Sequence, residues 1–276
     1  MKEEMSYCKT IGEILGKERK DKKCSNREIC RGLCSASTYN RYENDAVQPD
    51  KFLLDAFLER LGINPLHITY IASNDETKIM NLRKEIMTLV SQKNIREAEI
   101  KISEYSEMRF VKNERLHKQF ILKVKGDISL IENNIDEALR LYKMGLKITQ
   151  KGDFTQGRFY SRIEMYLFIK IIRIENKFND LFWLEKYLRN ADDNNILKQS
   201  YYSEIVTTVV NCCKNITNCK KIYYLNNAIQ YKRAIGQFKD IEKMIYIKQS
   251  IGTELSNNEE IICKCFPIIK EELGLN

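Results

Sequence analysis

A six-residue pattern recurs four times along the chain and limits its fold more than any other feature. Each copy is polar, polar, apolar, polar, polar and then small or apolar, and the copies occupy residues 93–98, 133–138, 176–181 and 214–219. Successive copies begin 40, 43 and 38 residues apart, and each lies between two segments with the apolar spacing of a helix. Stacked helix pairs of this length form an α-solenoid, so the pattern predicts helical repeats over most of the chain.

Composition also favours a helical protein. The 276 residues include 43% hydrophobic residues but only 3 Pro and 11 Gly, whereas folds rich in strands need more turn residues. We therefore expect an all-α protein. The sequence has no run of about 18 apolar residues, so we expect no membrane-spanning helix. The odd number of cysteines, 9, and the lack of a leader predict free thiols and a cytoplasmic location.

Two short helices near the amino terminus form a second recognisable unit. Ser25 and Glu28 have the spacing of a capping box, which begins the first of these helices. Ser35 can cap the second helix, on which Tyr39 and Tyr42 share one face and are predicted to be core residues. The short separation of the two helices is typical of a helix-turn-helix, whose second helix enters the major groove of DNA.

Positive charge is concentrated in this part of the chain. Residues 9–41 carry nine Lys or Arg against four Asp or Glu, whereas residues 42–72 carry two against five. The formal net charge of the whole chain, +8, favours polyanions without naming one. Phosphate contacts would require such a local concentration of charge, although a solvated basic helix face would have the same composition.

Three segments of this unit resemble the XRE-type helix-turn-helix of bacterial repressors. They are Ile11-Gly12-Glu13-Ile14-Leu15-Gly16-Lys17-Glu18-Arg19-Lys20, then Ser25-x-x-Glu28-Ile29-Cys30, and then Cys34-Ser35-x-Ser37-x-x-x-Arg41-x-Glu43-Asn44. The turn between the two helices is similar to that of the RRNPP family, a group of cytoplasmic regulators that sense secreted peptides.

The second repeat resembles a tetratricopeptide repeat (TPR). The packing positions of such a repeat, with small side chains where the two helices cross, correspond to Leu122, Gly126, Ala138, Tyr142 and Gly145. An XRE domain, a short linker and about five TPR-like repeats together resemble the layout of the RRNPP family.

The resemblance therefore covers nearly the whole chain. We predict an all-α protein with an N-terminal five-helix XRE-type helix-turn-helix domain at residues 1–72 and a linker at residues 73–75. An α-solenoid of about five TPR-like helix pairs, at residues 76–276, would bind a peptide and mediate dimerisation.

The resemblance assigns the residues that read DNA. The family's base-contacting positions correspond to Ser37, Thr38 and Arg41, with Asn40 beside them. Arg41 can donate two hydrogen bonds to a guanine, while the hydroxyls can bind bases or phosphates. The positions placed to hold phosphates correspond to Asn26 and Asn44.

Two acidic residues at the end of the reading helix are interpreted separately. Glu43 is predicted to be structural and to pair with Arg19 or Arg27. Asp45 stands where the family often has Gly after Asn44, and a left-handed backbone there would be strained for most residues but tolerated by Asp. A different loop at this position would alter its phosphate contact.

The resemblance also implies a groove for a short signal peptide, lined by the first helix of each repeat. The groove-facing positions combine cations, amides and apolar groups, which suits an extended peptide, although a solvated face of a structural solenoid would show a similar mix. These positions are Arg83, Met87, Lys123, Asp127, Tyr166, Lys170, Arg173, Glu204, Thr208 and Asn211.

The sequence carries no pattern that indicates catalysis or metal binding. The cysteine spacings match no zinc site, and His67 and His117 lie far apart in sequence. Gly-rich phosphate loops, nucleophile elbows and paired-carboxylate motifs are missing. We therefore expect no enzyme activity, no metal site and no cofactor.

These observations predict a quorum-sensing-type transcription regulator. It would bind a palindromic operator in double-stranded DNA as a homodimer and would be switched by a short signal peptide in the TPR groove. Two alternatives stay open: a TPR interaction adaptor, and a DNA-binding regulator controlled by a protein partner. The abundance of Lys, Asn and Ile indicates an AT-rich genome and, with the family, a Gram-positive source.

Overall fold

The fold is described from a computed structural model. It describes residues 10–108, 114–150, 159–175, 184, 202–213, 216–234 and 241–272. Over these residues the chain forms thirteen α-helices and one 3-10 turn and has no strand, which confirms the predicted all-α class. Contacts divide the chain into a first unit, Met1–Ile174, and a second unit, Glu175–Asn276. The predicted domain limits at residues 72 and 76 stay a prediction.

Four α-helices and a 3-10 turn make up the amino-terminal part of the first unit. They are α1 (Ile11–Asp21), α2 (Asn26–Cys30), α3 (Ala36–Glu43), α4 (Lys51–Arg60) and the turn Pro65–His67. Leu15, Tyr39 and Phe57 are fully buried in their shared core, and the Tyr39 and Phe57 rings pack edge to face with their centroids 4.8 Å apart. The predicted core role of Tyr39 is therefore confirmed.

Side-chain caps determine where these helices begin. Thr10 and Ser25 each form a complete capping box, with Glu13 and Glu28 respectively, at the starts of α1 and α2. The Ser35 hydroxyl accepts a hydrogen bond from the backbone N–H of Thr38 at 3.0 Å at the start of α3. Each cap satisfies backbone N–H groups that have no partner inside the helix, so the short helices are fixed locally.

The sequence predicts that the fifth helix of the amino-terminal domain spans residues 66–72, but the structure has only a single 3-10 turn there, at Pro65–His67. The backbone becomes extended at Ile68, and Ile68, Thr69 and Ile71 are β-branched residues that favour extended backbone. The hydroxyl of Tyr70, in the same segment, donates a hydrogen bond to Glu76 at 2.9 Å. Local preference and this contact together explain why no α-helix forms here.

The rest of the first unit consists of five longer helices. They are α5 (Asn74–Ser91), α6 (Ile95–Glu107), α7 (Glu114–Ile131), α8 (Ile135–Thr149) and α9 (Arg162–Glu175). The predicted linker residues form the start of α5, with Ser73 as its cap in a capping box with Glu76. Glu76 also accepts a hydrogen bond from the backbone N–H of Lys51 at 2.7 Å, which joins the starts of α4 and α5.

The pair formed by α7 and α8 packs as the TPR resemblance implies. A Cβ atom at Gly126 would lie 2.5 Å from the Tyr142 ring, and one at Gly145 would lie 3.3 Å from Leu167. Gly126 therefore leaves no room for a side chain, and a side chain at Gly145 would have to displace Leu167 slightly. Leu122 and Ala138 are buried beside them.

The first two copies of the repeated pattern adopt the same turn. Lys93 and Asn133, the first residue of each copy, have left-handed backbones with φ of 59° and 62°. The next residue in each copy, Asn94 or Asn134, is the N-cap of the following helix. The sequence period therefore corresponds to a repeated three-dimensional unit. The third copy, residues 176–181, lies outside the described residues.

Lys93→Gly is expected to raise the free energy of unfolding by up to about 1 kcal/mol, because glycine adopts a left-handed backbone without the steric strain of a Cβ atom. Asn133→Gly should gain less, since asparagine tolerates this conformation better than lysine. Urea unfolding of the two variants beside the unmodified protein measures both effects. Equal gains at the two positions would contradict this account of the turn.

The second unit contains four helices in its described part. They are α10 (Tyr202–Cys212), α11 (Asn218–Ala234), α12 (Ile241–Ser250) and α13 (Asn257–Glu272). A buried ion pair joins the last two, with Lys248 Nζ 2.8 Å from Glu259 Oε1. Across the part of the chain that the structure describes, no helix is both long and apolar enough to cross a membrane.

Candidate functional site

The polar residues of α3 lie opposite its core contacts. Ser37, Asn40 and Arg41 are exposed and Thr38 is half-buried, while Tyr39 points into the core. Within the described part of the chain, the Arg41 guanidinium makes no ion pair. The helix thus presents one fork of hydrogen-bond donors and several short polar groups to solvent, which is what reading the edges of bases requires.

Three hydroxyl groups cluster at the start of α3. The Ser35 Oγ atom lies 2.8 Å from both Ser37 Oγ and Thr38 Oγ1. The amino end of a helix carries partial positive charge and unpaired N–H groups, both of which favour phosphate oxygens. Ser37 and Thr38 are therefore placed where a phosphate contact is chemically favourable.

Asn26 and Asn44 lie at the ends of the two helices. Asn26 is the first residue of α2 and is half-buried beside the Ser25 cap. Asn44 is exposed and donates a side-chain hydrogen bond to the carbonyl oxygen of Asn40 at 2.9 Å. An amide has two N–H donors, so one donor of Asn44 remains for a phosphate.

Asp45 has a left-handed backbone, with φ of 53°. Its carboxylate accepts hydrogen bonds from the backbone N–H of Gly12 at 2.9 Å and from the Thr10 hydroxyl at 2.5 Å. The side chain thus caps α1, which offsets the strained backbone. Gly12 allows this approach, because a Cβ atom there would lie 2.6 Å from the carbonyl oxygens of Tyr42 and Glu43.

Glu43 fixes α3 against α1. Its carboxylate accepts hydrogen bonds from Arg19 Nε at 2.5 Å and from Arg19 Nη2 at 3.0 Å, and the two side chains are largely buried. The structural role predicted for Glu43, with Arg19 as its partner, is confirmed. A bidentate pair of this kind has both directional hydrogen bonds and opposite charges, so it holds the reading helix in one orientation.

Five of the residues predicted to line the groove form one cluster. Lys123 Nζ lies 2.7 Å from Asp127 Oδ2 and 3.1 Å from Met87 Sδ. The ammonium groups of Lys123 and Lys170 lie 4.6 Å and 5.2 Å from the centroid of the Tyr166 ring. The structure therefore brings together Met87 of α5, Lys123 and Asp127 of α7, and Tyr166 and Lys170 of α9.

Asp127 holds this cluster together. The hydroxyls of Tyr142 and Tyr166 both donate to Asp127 Oδ1, at 2.7 Å and 2.6 Å, while Lys123 pairs with the other oxygen. Burial, with the nearby Asp127 charge, raises the pKa of Tyr142, so its hydroxyl stays protonated and donates. The repeat pattern predicts only a packing role for Tyr142. The four-residue spacing of Lys123 and Asp127 is the one sequence signal of a polar contact here, and it does not identify the tyrosines.

Arg83 does not join the cluster. Its guanidinium lies 4.4 Å from the centroid of the Phe52 ring of α4 and donates a hydrogen bond to the Tyr105 hydroxyl at 2.7 Å. It also lies 3.1 Å from His117 Nδ1, and burial, with the Arg83 charge, lowers the pKa of His117 to about 3. Arg83 therefore packs between the amino-terminal helices and the repeats.

The remaining predicted groove residues have different surroundings. Arg173 is half-buried near the end of α9. In the second unit, Glu204, Thr208 and Asn211 lie on α10, where Asn211 is exposed and Glu204 is half-buried. Thr208 is buried, and its hydroxyl donates to the carbonyl oxygen of Glu204 at 2.6 Å, so this group is used within its own helix.

Metal binding finds no support in the geometry of the described ranges. There, no three His, Cys, Asp or Glu side chains lie close enough together to hold a metal ion.

Comparison with known proteins identifies the fold. No family model matches the chain. No curated protein matches it either. A similar solved structure is that of Bacillus thuringiensis PlcR in complex with the peptide PapR7 and DNA, with a TM-score of 0.54 and 16% sequence identity. The match covers 97% of this chain and 96% of that one. The fold expected from the family resemblance is thus confirmed along nearly the whole chain.

Proposed function

We propose that this chain is a transcription regulator that binds operator DNA and responds to a short peptide. The observation that carries the proposal is the exposed polar face of α3, which includes the exposed Arg41, on a fold shared with PlcR. The PlcR structure was determined with a peptide and DNA, which supports the same two classes of ligand for this chain. A regulator of this kind needs no chemical reaction, so we also propose that the chain is not an enzyme.

On this proposal α3 enters the major groove of the operator. Arg41 donates two hydrogen bonds to a guanine, and Ser37, Thr38 and Asn40 contact neighbouring bases or phosphates. Asn26 and Asn44 hold the phosphates on either side. The Arg19–Glu43 pair keeps α3 in one orientation while these contacts form.

The peptide would bind along the first helices of the repeats. In the first unit its surroundings would be Met87, Lys123, Tyr166 and Lys170, with Asp127 holding Lys123 and Tyr166 in place. We keep as a proposal the predicted groove role of five further residues, Arg83, Arg173, Glu204, Thr208 and Asn211. The inward contacts of Arg83 and Thr208 favour a supporting role for these two. The lysines suit a carboxylate of the peptide, and Met87 suits an apolar side chain.

The finer features of the proposal follow from the family resemblance. We propose a cytoplasmic homodimer that recognises a palindromic operator, because two copies of α3 related by a two-fold axis would read two identical half-sites. We also propose that the peptide is a secreted quorum-sensing signal. It can act as a switch only if it binds more tightly to one of two arrangements of the regulator.

Arg41→Ala is expected to lower the preference for operator over scrambled DNA by roughly 5- to 150-fold, corresponding to about 1–3 kcal/mol for one bidentate guanine contact. Fluorescence anisotropy measures this preference with duplexes from the intergenic region upstream of the gene, over a series of salt concentrations. Arg140→Ala is the matched control, because Arg140 is an exposed arginine on α8. It removes the same charge without touching α3.

The same assay separates the proposal from its alternatives. Addition of synthetic peptides encoded by short reading frames beside the gene should change the affinity for DNA. Selective binding that no peptide changes would favour a regulator controlled by a protein partner. Binding without sequence preference or salt dependence would contradict the DNA-reading proposal and favour an interaction adaptor.

A further inference from the structure

A buried arginine at the end of α4 joins the amino-terminal helices to the repeats. The side chains of Arg60 and Glu164 are 0% and 1% exposed. Arg60 Nη2 donates to Glu164 Oε1 at 2.5 Å, and Arg60 Nε donates to Glu164 Oε2 at 3.3 Å. Glu164 lies in the first turn of α9. The two residues are 104 positions apart in the sequence, so this pair is a tertiary contact within the first unit.

The same guanidinium holds the backbone that leads into α3. Arg60 Nη1 donates to the carbonyl oxygens of Ile29 at 2.6 Å and Arg31 at 2.7 Å. Ile29 lies in the last turn of α2, and Arg31 begins the turn before α3. The direction in which the chain leaves α2 therefore depends on the position of Arg60.

Glu164 is held as firmly as its partner. Its Oε1 atom accepts a hydrogen bond from Gln150 Nε2 at 2.8 Å, and its Oε2 atom accepts one from the backbone N–H of Ser161 at 2.7 Å. Burial would raise the pKa of Glu164, but the charge and hydrogen bonds of Arg60, together with hydrogen bonds from Thr149 and Ser161, outweigh this effect, and the pKa is lowered overall. The carboxylate is thus ionised at neutral pH and cannot turn away without leaving a buried charge unpaired.

A second contact supports the same turn. A Cβ atom at Gly32, between α2 and α3, would lie 2.0 Å from the carbonyl oxygen of Thr149, so the turn lies directly against the end of α8. Phe159, shortly before α9, packs against the core of the amino-terminal helices. The end of α8 and the segment just before α9 therefore both contact the amino-terminal helices.

The helix that carries Glu164 also carries part of the groove cluster. Tyr166 and Lys170 follow Glu164 by two and six residues on α9. A helix of this length moves as one body, so a shift of α9 at the groove would move Glu164 as well.

From these contacts we propose that Arg60 and Glu164 are positioning residues for DNA reading. They transmit the position of α9, and with it the state of the groove, to the turn that orients α3. This inference rests on the proposed function, since it assumes that α3 reads DNA.

Glu164→Gln tests the inference, because it keeps the shape of the side chain and removes its charge. The variant should exchange the backbone amides of α3 roughly ten-fold faster than the unmodified protein, while those of α1 exchange unchanged. Its preference for the operator over scrambled DNA should fall roughly ten-fold, with equal affinity for scrambled DNA. If the Arg60–Glu164 pair only stabilised the fold, Glu164→Gln would lower the affinity for operator DNA and the affinity for scrambled DNA together.

Glu259→Gln is the matched control, since Glu259 forms the buried ion pair with Lys248 in the second unit. It should change neither the exchange of α3 nor the DNA preference. If Glu164→Gln behaves like this control, the inference is wrong. Should Glu164→Gln fail to fold, Glu164→Asp keeps the charge but shortens the side chain, and it should give the same two changes to a smaller degree.

The two parts of the experiment fail separately. If the unmodified protein binds no DNA selectively, the proposed function is wrong, while the exchange of α3 still tests whether Glu164 positions that helix. If the protein binds selectively but the exchange of α3 is the same in Glu164→Gln, the function stands and the positioning role is excluded.

Discussion

Gly32→Ala is expected to destabilise the first unit by about 2–5 kcal/mol, the sum of a strained left-handed backbone and an overpacked contact. Gly32 has φ of 71°, and its added methyl group would lie 2.0 Å from the carbonyl oxygen of Thr149. This oxygen belongs to the backbone of Thr149, so no side chain can rotate to make room. The turn between α2 and α3 would have to separate from the end of α8.

Gly252→Ala separates the two causes. Gly252 also has a left-handed backbone, with φ of 85°, but a Cβ atom there would meet no atom within 4 Å. This variant should lose only the conformational part, about 1–2 kcal/mol. Urea unfolding measures how much free energy of unfolding each variant loses relative to the unmodified protein. The difference between the two losses is the cost of the contact with Thr149. Equal losses would show that Thr149 does not press on the turn.

Glu59→Gln is expected to raise the free energy of unfolding by up to about 3 kcal/mol at pH 8 and by less than about 1 kcal/mol at pH 5. The Glu59 side chain on α4 is 14% exposed. Burial raises its pKa from 4.5 to about 7, against the opposing effect of a hydrogen bond from the backbone N–H of Arg162 at 2.9 Å. Asp55 and Glu164 raise it further, and the Arg162 guanidinium lowers it.

The sign of the effect follows from the two protonation states. Below about pH 4.5 the carboxyl is protonated in both folded and unfolded chains, so it does not affect stability. Between this pH and about 7 the Glu59 carboxyl is ionised in the unfolded chain but still protonated in the folded chain, so the folded state becomes less stable as the pH rises. Above about pH 7 this loss of stability stays constant. Glutamine carries no charge and can still accept the hydrogen bond from Arg162, so it avoids the penalty.

Chemical denaturation at the two pH values measures the effect. Glu137→Gln serves as the control, because Glu137 is an exposed carboxylate paired with Arg140, and this pairing lowers its pKa. It should give no gain at pH 8. A gain from Glu59→Gln that is equal at pH 5 and pH 8 would contradict the assigned cause.

The amino-terminal helices and the repeats were predictable because their signals are local. The caps at Thr10, Ser25 and Ser35 each depend on residues within one helical turn. The repeated turn at Lys93 and Asn133 follows from a pattern of six residues. Spacing of this kind fixes hydrogen bonds between near neighbours, so it can be read before any tertiary contact is known.

The polar contacts between distant segments were not predictable. The repeat pattern assigns Arg83 to the groove, but Phe52, more than thirty residues earlier, packs against its guanidinium. The pairing of Arg60 with Glu164 has no sequence signal, since many charged residues could pair across such a distance. Repeat position predicts the face of a helix, whereas the partner of a long side chain depends on how the helices pack.

The sharing of Arg60 among three helices limits how such a chain can change through evolution. Loss of the arginine alone would leave Glu164 buried without a counter-charge, and loss of the glutamate alone would do the same to Arg60; each step would remove roughly 3–5 kcal/mol of stability. Descendants of one ancestor should therefore keep or replace the two residues as a pair. Recombination that exchanges the amino-terminal helices between two relatives would give a stable protein only if both relatives have the same residues at positions 60 and 164.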